Sequence, residues 1–263
     1  MTAPRYDRYV AIGDSSTEGL DDPDGRGHYR GWADRLAGHL ARAQGEVQYA
    51  NLAVRGRKTR EILDEQLAAA LALRPDVATA FSGTHDVIRS GFDLEAVRAD
   101  TETIWRALRA SGATVLSFTL PDLSAVIPFA SRITPRVEAL NEALRRTAAA
   151  TGVILVDLAR HPVASDPRLW SDDRLHANSL GHERIAAGLA HALGLPGVDA
   201  RWSDPLPPRV PPTLGERGAA ELRWLRTHFI PWVWRHARGH SSGDGITAKR
   251  PSLLSLEAAD VPR

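Results

Sequence analysis

Two patterns alternate along this chain. Short apolar runs bounded by glycine or polar residues occur at 9–12 (Tyr9-Val10-Ala11-Ile12), 47–50, 77–82, 114–119 and 153–157. Longer stretches rich in Ala, Leu, Arg and Glu separate them, at about 32–43, 59–73, 94–110 and 135–150, and a last one covers 180–193. The short runs have the length of strands, and the longer stretches have the composition of helices. Their alternation predicts a parallel sheet with helices on both faces, because parallel strands need a crossover long enough to hold a helix. The expected architecture is α/β, a three-layer α/β/α sandwich on a five-stranded parallel sheet. No internal repeat stands out.

Beyond Leu195 the pattern breaks. Residues 205–212 (Pro-Leu-Pro-Pro-Arg-Val-Pro-Pro) read as an extended connector that cannot be helical throughout. In 217–238, Leu222, Leu225, Phe229 and Val233 recur at helical spacing and Trp224, Trp232 and Trp234 add bulk. Five arginines stand there against one acid, Glu221. Such a basic, tryptophan-bearing helix could lie on a membrane surface, cover a site as a lid, or pack its apolar face on the rest of the chain, with Pro231 kinking or ending it. From His240 onward the chain is polar and glycine-rich and reads as loop or tail. The expected division is therefore an α/β domain at 1–198 and, at 199–263, a C-terminal helical extension made of connector, basic helix and polar tail.

Composition narrows the function classes. Lys and Arg total 33 against 32 Asp and Glu, a formal charge of +1, so no global field argues for a nucleic-acid partner. The 263 residues contain no cysteine, which removes disulfides, zinc–thiolate sites and thiol catalysis and fits a reducing compartment. The first residues lack an apolar core of signal-peptide length, and no later run approaches the roughly 20 residues of a spanning helix. The expected location is cytoplasmic.

The chemistry concentrates in two motifs. Gly13-Asp14-Ser15-Ser16-Thr17-Glu18-Gly19 directly follows the first predicted strand, which sets Ser15 at the carboxyl end of a strand, where open α/β sheets place their sites. Far along the chain, Asp173-Arg174-Leu175-His176 supplies an acid and an imidazole three residues apart, the groups a serine needs to become a nucleophile at neutral pH. Each motif has a plainer reading: Ser15 as a helix N-cap, and Asp173 with His176 as an exposed loop pair. Together they point to a serine hydrolase. Asp172 competes with Asp173 as the orienting acid, whereas His28, His161 and His182 carry no motif and read as structural or surface residues.

In these motifs the chain resembles the SGNH (GDSL) hydrolases over about residues 8–195. The resemblance implies a flavodoxin-like sandwich, in agreement with the element order, and assigns Ser15 as nucleophile with Asp173 and His176 as its partners. It also puts the family's second-motif glycine at Gly56 and its Gly-x-Asn-Asp motif on Gly83-Thr84-His85-Asp86, where His85 replaces the asparagine. The implied oxyanion hole comprises the backbone amides of Ser15 and Gly56 and the side chain of His85, and spacing in the family motif favours Asp173 over Asp172. All these segments follow predicted strands and would converge on one edge of the sheet. His85 could donate in the asparagine's place, narrow the acyl pocket, or cost part of the activity. The expectation is a carboxylic ester hydrolase without metal or cofactor, acting through an acyl-enzyme on a small-molecule, acetylated or lipid ester, with possible peripheral lipid contact through 217–238. Alternatives are an acyltransferase using the same acyl-enzyme, and a weakly active binding protein. Trp32, Trp170 and Phe129 lie near enough to the motifs to line a pocket, although aromatic residues more often form core.

Overall fold

The computed structural model describes residues 5–25, 27–122, 124, 126, 132–231, 234 and 242–261. Five strands form on the predicted apolar runs: β1 (Arg8–Gly13), β2 (Glu46–Asn51), β3 (Val77–Phe81), β4 (Thr114–Phe118) and β5 (Ile154–Val156). They are mutually parallel in the spatial order 2-1-3-4-5. β1 and β3 are buried almost throughout, which explains why they read as continuous apolar runs rather than alternating ones.

The crossovers are α2 (Gly31–Gln44), α3 (Thr59–Ala72), α5 (Leu94–Ala110) and α6 (Thr134–Thr151), and α7 (Ser179–Ala192) follows the last of the five parallel strands. α2 packs on α7 over one face of the sheet, while α3, α5 and α6 lie side by side on the other. The core between them centres on Ile12, Trp32, Leu36, Trp105, Leu116 and Leu189, all at most 1% exposed. Fully burying one such aliphatic side chain contributes roughly 1.5–3 kcal/mol. Among the described residues, no helix is long and apolar enough to cross a membrane.

The sheet has six strands, not the expected five. Residues Arg250–Glu257, expected as polar tail, form β6, which pairs antiparallel with β2 from Glu46↔Glu257 to Asn51↔Arg250. Pro251 is accommodated because β6 is at the sheet edge, where a missing backbone N–H costs little. The parallel core and its helices stand as expected.

The predicted C-terminal helix is α8 (Leu214–Trp224), capped by Thr213 and Glu216. It runs on through a π-helical turn at Leu225–Phe229 and is still helical at Ile230 and Pro231. The wider turn precedes the proline, whose ring would otherwise press on the carbonyl four residues back. Trp224 is buried and Leu225, His228 and Phe229 are half-buried, whereas Leu222 faces outward at 50% exposure. Phe129, Trp232, Val233 and the 235–238 part of the expected basic stretch lie outside the described residues.

Candidate active site

The turn that ends β1 places Ser15. Asp14, not Ser15, caps the short α1 (Ser15–Glu18), its carboxylate accepting from Ser16 N at 3.0 Å. Gly13 is required by close approach, since a Cβ there would collide with Thr17 Oγ1 and the Phe81 carbonyl. Gln66, buried on α3, fixes this turn by accepting from Gly13 N and donating to Gly13 O, each at 2.9 Å. Asn51 at the end of β2 donates to Thr17 O at 2.8 Å. Neither amide was singled out in the sequence; Gln66 sits beside Leu67, four residues from Ile62 and four from Ala70 on the buried face of a helix, and a polar residue in such a position was the available signal.

The Asp-x-x-His segment is a closed loop. Trp170 and Ala177 form a β-bridge, and Ser171 N donates to His176 O at 2.9 Å. Asn178 caps α7 through Gly181 N, fixing the chain two residues after His176. Arg174 adopts the left-handed conformation (φ +63°), at a cost of about 1–2 kcal/mol for a non-glycine residue. Asp173 Oδ1 accepts from Leu175 N (2.9 Å), His176 N (3.0 Å) and Ser171 Oγ (2.6 Å). Its Oδ2 meets His176 Nδ1 at 2.6 Å, and His176 Nε2 meets Ser15 Oγ at 2.8 Å. It is thus Asp173, rather than Asp172, that faces the imidazole. With Nδ1–H given to the carboxylate, Nε2 holds a lone pair for the serine hydroxyl.

Electrostatics support that proton arrangement. Burial would lower the affinity of His176 for a proton, but the hydrogen bond and charge of Asp173, aided by Asp21 and Asp14, outweigh it and hold the imidazole above its ordinary 6.5. Burial opposes ionisation of Asp173, yet His176 and the loop donors keep its carboxyl far below the usual range. Asp14 is different. Burial pushes its carboxyl up to about 7, against the pull of the Ser16 N–H.

Gly56 lies in the turn after β2 with φ +80°. Its neighbour Arg55 is clamped to Glu18, whose carboxylate accepts from Arg55 N at 2.8 Å and from Nε at 3.0 Å, and Gly56 O accepts from Arg89 Nη2 at 3.2 Å. The segment after β3 is tied to the same loop: Asp86 on α4 (Thr84–Ile88) accepts from Thr59 N at 3.0 Å and Thr59 Oγ1 at 2.9 Å. His85 is buried on α4 at 7% exposure.

A pocket of about 70 Å³ opens beside Ser15 and His176, walled by Phe81, Phe118, Leu120, Val137 and Leu158, with Trp170 at one side and Thr84 from α4. Gly56 and His85 are not among its lining residues. Trp32 is core, donating from Nε1 to Ser16 Oγ at 3.2 Å. His182 is buried as well; it accepts from Trp32 N at Nδ1 (3.1 Å) and bonds Leu20 O at Nε2 (2.9 Å), and burial lowers it to about 4. Among the described residues, Asp21, Asp173 and His176 bring possible ligand atoms within 4.8 Å of one another. The Nδ1 of His176 is spent on Asp173, so this cluster is built for holding a proton rather than a metal.

The model of the GDSL-like Lipase/Acylhydrolase family matches residues 11–184. No curated protein sequence matches the chain. Among solved structures, TesA shares 22% identity at a TM-score of 0.59, over 71% of this chain and 97% of its own. A catalytic mutant of Axe2, an acetylxylan esterase from Geobacillus stearothermophilus, gives 16% and 0.63, over 76% and 100%. The psychrotrophic esterase EstA from Pseudoalteromonas sp., inhibited by monoethylphosphonate, gives 16% and 0.58, over 72% and 97%. At these identities the structural likeness carries the fold.

Proposed function

The chain belongs to the GDSL-like lipase/acylhydrolase family and is therefore a serine-type carboxylic ester hydrolase; on that premise we propose that it works through an acyl-enzyme on Ser15, with His176 as general base and Asp173 as its orienting acid. The observation that carries this reading is the unbroken chain from Ser15 Oγ to His176 Nε2 (2.8 Å) and from Nδ1 to Asp173 (2.6 Å). His176 takes the hydroxyl proton as Oγ attacks the ester carbonyl, and Asp173 stabilises the imidazolium. The tetrahedral oxyanion is received by the amides of Ser15 and Gly56 and the side chain of His85. The imidazolium then protonates the departing alcohol, and water, activated by the same imidazole, releases the acid.

The pocket beside Ser15 is walled mainly by aliphatic and aromatic side chains, with Thr84, Asp122 and Thr134 among them. Such a wall favours an alkyl acyl chain over a polar one, because each buried methylene contributes about 0.8 kcal/mol. Hydrolysis of a p-nitrophenyl ester series from acetate to octanoate, by the protein and by Ser15→Ala, tests both points. Loss of turnover with Ser15 and a rate maximum beyond acetate support the reading; equal rates in the two proteins refute it.

Outward residues of α8 and of the helical turns that continue it include Leu222 and Ile230, each 50% exposed, and Trp234 further along is 58% exposed. Arg217, Arg223 and Arg226 are exposed near them. A basic, apolar surface of this kind suits contact with an anionic lipid layer. Co-sedimentation with anionic but not neutral vesicles is the expected result. The lack of cysteine suits action in the cytoplasm.

A further inference from the structure

α8 lies beyond residue 184, where the family match ends. Its most buried residue nevertheless meets the Asp-x-x-His loop. Trp224, 6% exposed, donates from Nε1 to the backbone carbonyl of Asp173 at 3.0 Å. The next loop residue, Arg174, directs its guanidinium fork to Glu221 on the same helix, Nη1 to Oε2 and Nη2 to Oε1, each at 2.9 Å. That guanidinium also lies over the Trp224 ring, 4.9 Å from its centroid, and Phe229 stacks on the same indole at 5.3 Å.

These contacts fall on the part of the loop that sets the catalytic aim. Asp173 Oδ1 is tied to Leu175 N and His176 N within the same turn, so a shift of the 173–174 backbone carries the carboxylate with it. Arg174, in its left-handed conformation, is the residue most ready to relax if released, and α8 grips both its side chain and the carbonyl just before it. A bidentate fork and an indole N–H fix direction as well as distance.

We propose that Trp224, together with the Glu221–Arg174 pair, is a positioning residue for the hydrolysis: the C-terminal helix holds the Asp-x-x-His loop so that Asp173 stays aimed at His176 Nδ1. The helix is then a working part of the active site rather than a removable cover or an appendage. This inference rests on the reading of Ser15, Asp173 and His176 as the reacting set.

The test uses full-length Trp224→Phe, which removes the N–H and keeps an aromatic ring, and Glu221→Gln, which weakens the fork. Hydrolysis of p-nitrophenyl butyrate is followed across about pH 5 to 9. In Trp224→Phe, kcat falls about tenfold while KM stays within about twofold, since a displacement of 1 Å suffices for larger losses. The acid limb moves to lower pH, because the imidazole loses part of its alignment with Asp173 while Asp21 and Asp14 remain. Glu221→Gln shows the same changes to a smaller degree. Unchanged kcat and an unmoved acid limb overturn the proposal, as does a loss of rate that merely follows a lowered melting temperature with the limb in place.

Proton NMR of the Asp173–His176 hydrogen bond reads the alignment without turnover: an upfield shift or loss of that resonance in Trp224→Phe supports the proposal, and an identical resonance overturns it. A wild-type rate unaffected by Ser15→Ala overturns the reading of the reacting set instead, and the resonance still reports on Trp224.

Discussion

His176 Nε2 lies 2.8 Å from Ser15 Oγ, although the two residues are 161 positions apart. The opposite nitrogen is fixed by Asp173, so the imidazole has one tautomer and one orientation. Because Asp173 raises the proton affinity of His176 above the ordinary 6.5, loss of activity on acidification begins above that value. Asp173→Asn removes the charge and favours the wrong tautomer. It should lower kcat about 10³- to 10⁴-fold and shift the acid limb of the pH–rate profile to lower pH. A full profile of both proteins checks this, and an unmoved limb would contradict the assignment.

His85 stands where the resembled family has asparagine. If its imidazole donates to the oxyanion, His85→Asn restores a neutral amide donor and keeps or raises kcat, whereas His85→Ala lowers kcat about 10²-fold. Comparable rates for His85→Ala and wild type would remove His85 from the oxyanion hole. A large loss in His85→Asn would show that the histidine does more than replace an amide.

Asp14 opposes folding at high pH. Its carboxyl, about 7 in the folded chain and 3.8 when unperturbed, binds more protons folded than unfolded between those values. Its contribution to stability is therefore present below about pH 4 and is lost as pH rises through 7. Asp14→Asn keeps an oxygen to accept from Ser16 N and removes the buried charge. It should stabilise the protein by about 1–3 kcal/mol at pH 8 and by little at pH 4. Denaturant unfolding at the two pH values measures the difference; an equal effect at both would count against a buried, ionising Asp14.

Gly243 marks a second place where the C-terminal segment touches the site. A Cβ there would overlap the Arg55 carbonyl and reach Val54 Cγ1 at 3.5 Å, and Arg55 precedes Gly56. Gly243→Ala must displace one backbone from the other. We expect a destabilisation of about 1–3 kcal/mol and a fall in kcat with little change in KM. Wild-type melting temperature and kcat together would mean that the turn does not rest on the loop.

The positions of the five parallel strands, their crossover helices and the segments bearing Ser15, Gly56, His85, Asp173 and His176 were legible in the sequence. Apolar run length and helix-favouring composition are local properties, and the two candidate motifs are short and contiguous. Three things were decided only in the folded molecule. β6 became a strand because the open edge of β2 offered a ladder to residues 200 positions away, which no local propensity of a proline-containing segment announces. Gln66 and Asn51 became the clamps of the Ser15 turn because folding set one amide against Gly13 and the other against Thr17. Trp224 was readable as one apolar position on a basic helix, but its bond to the Asp173 carbonyl depends on where that helix docks. The sequence by itself determined which groups could do the chemistry; the tertiary structure alone determined what holds them in line, because that support comes from polar contacts between segments far apart along the chain.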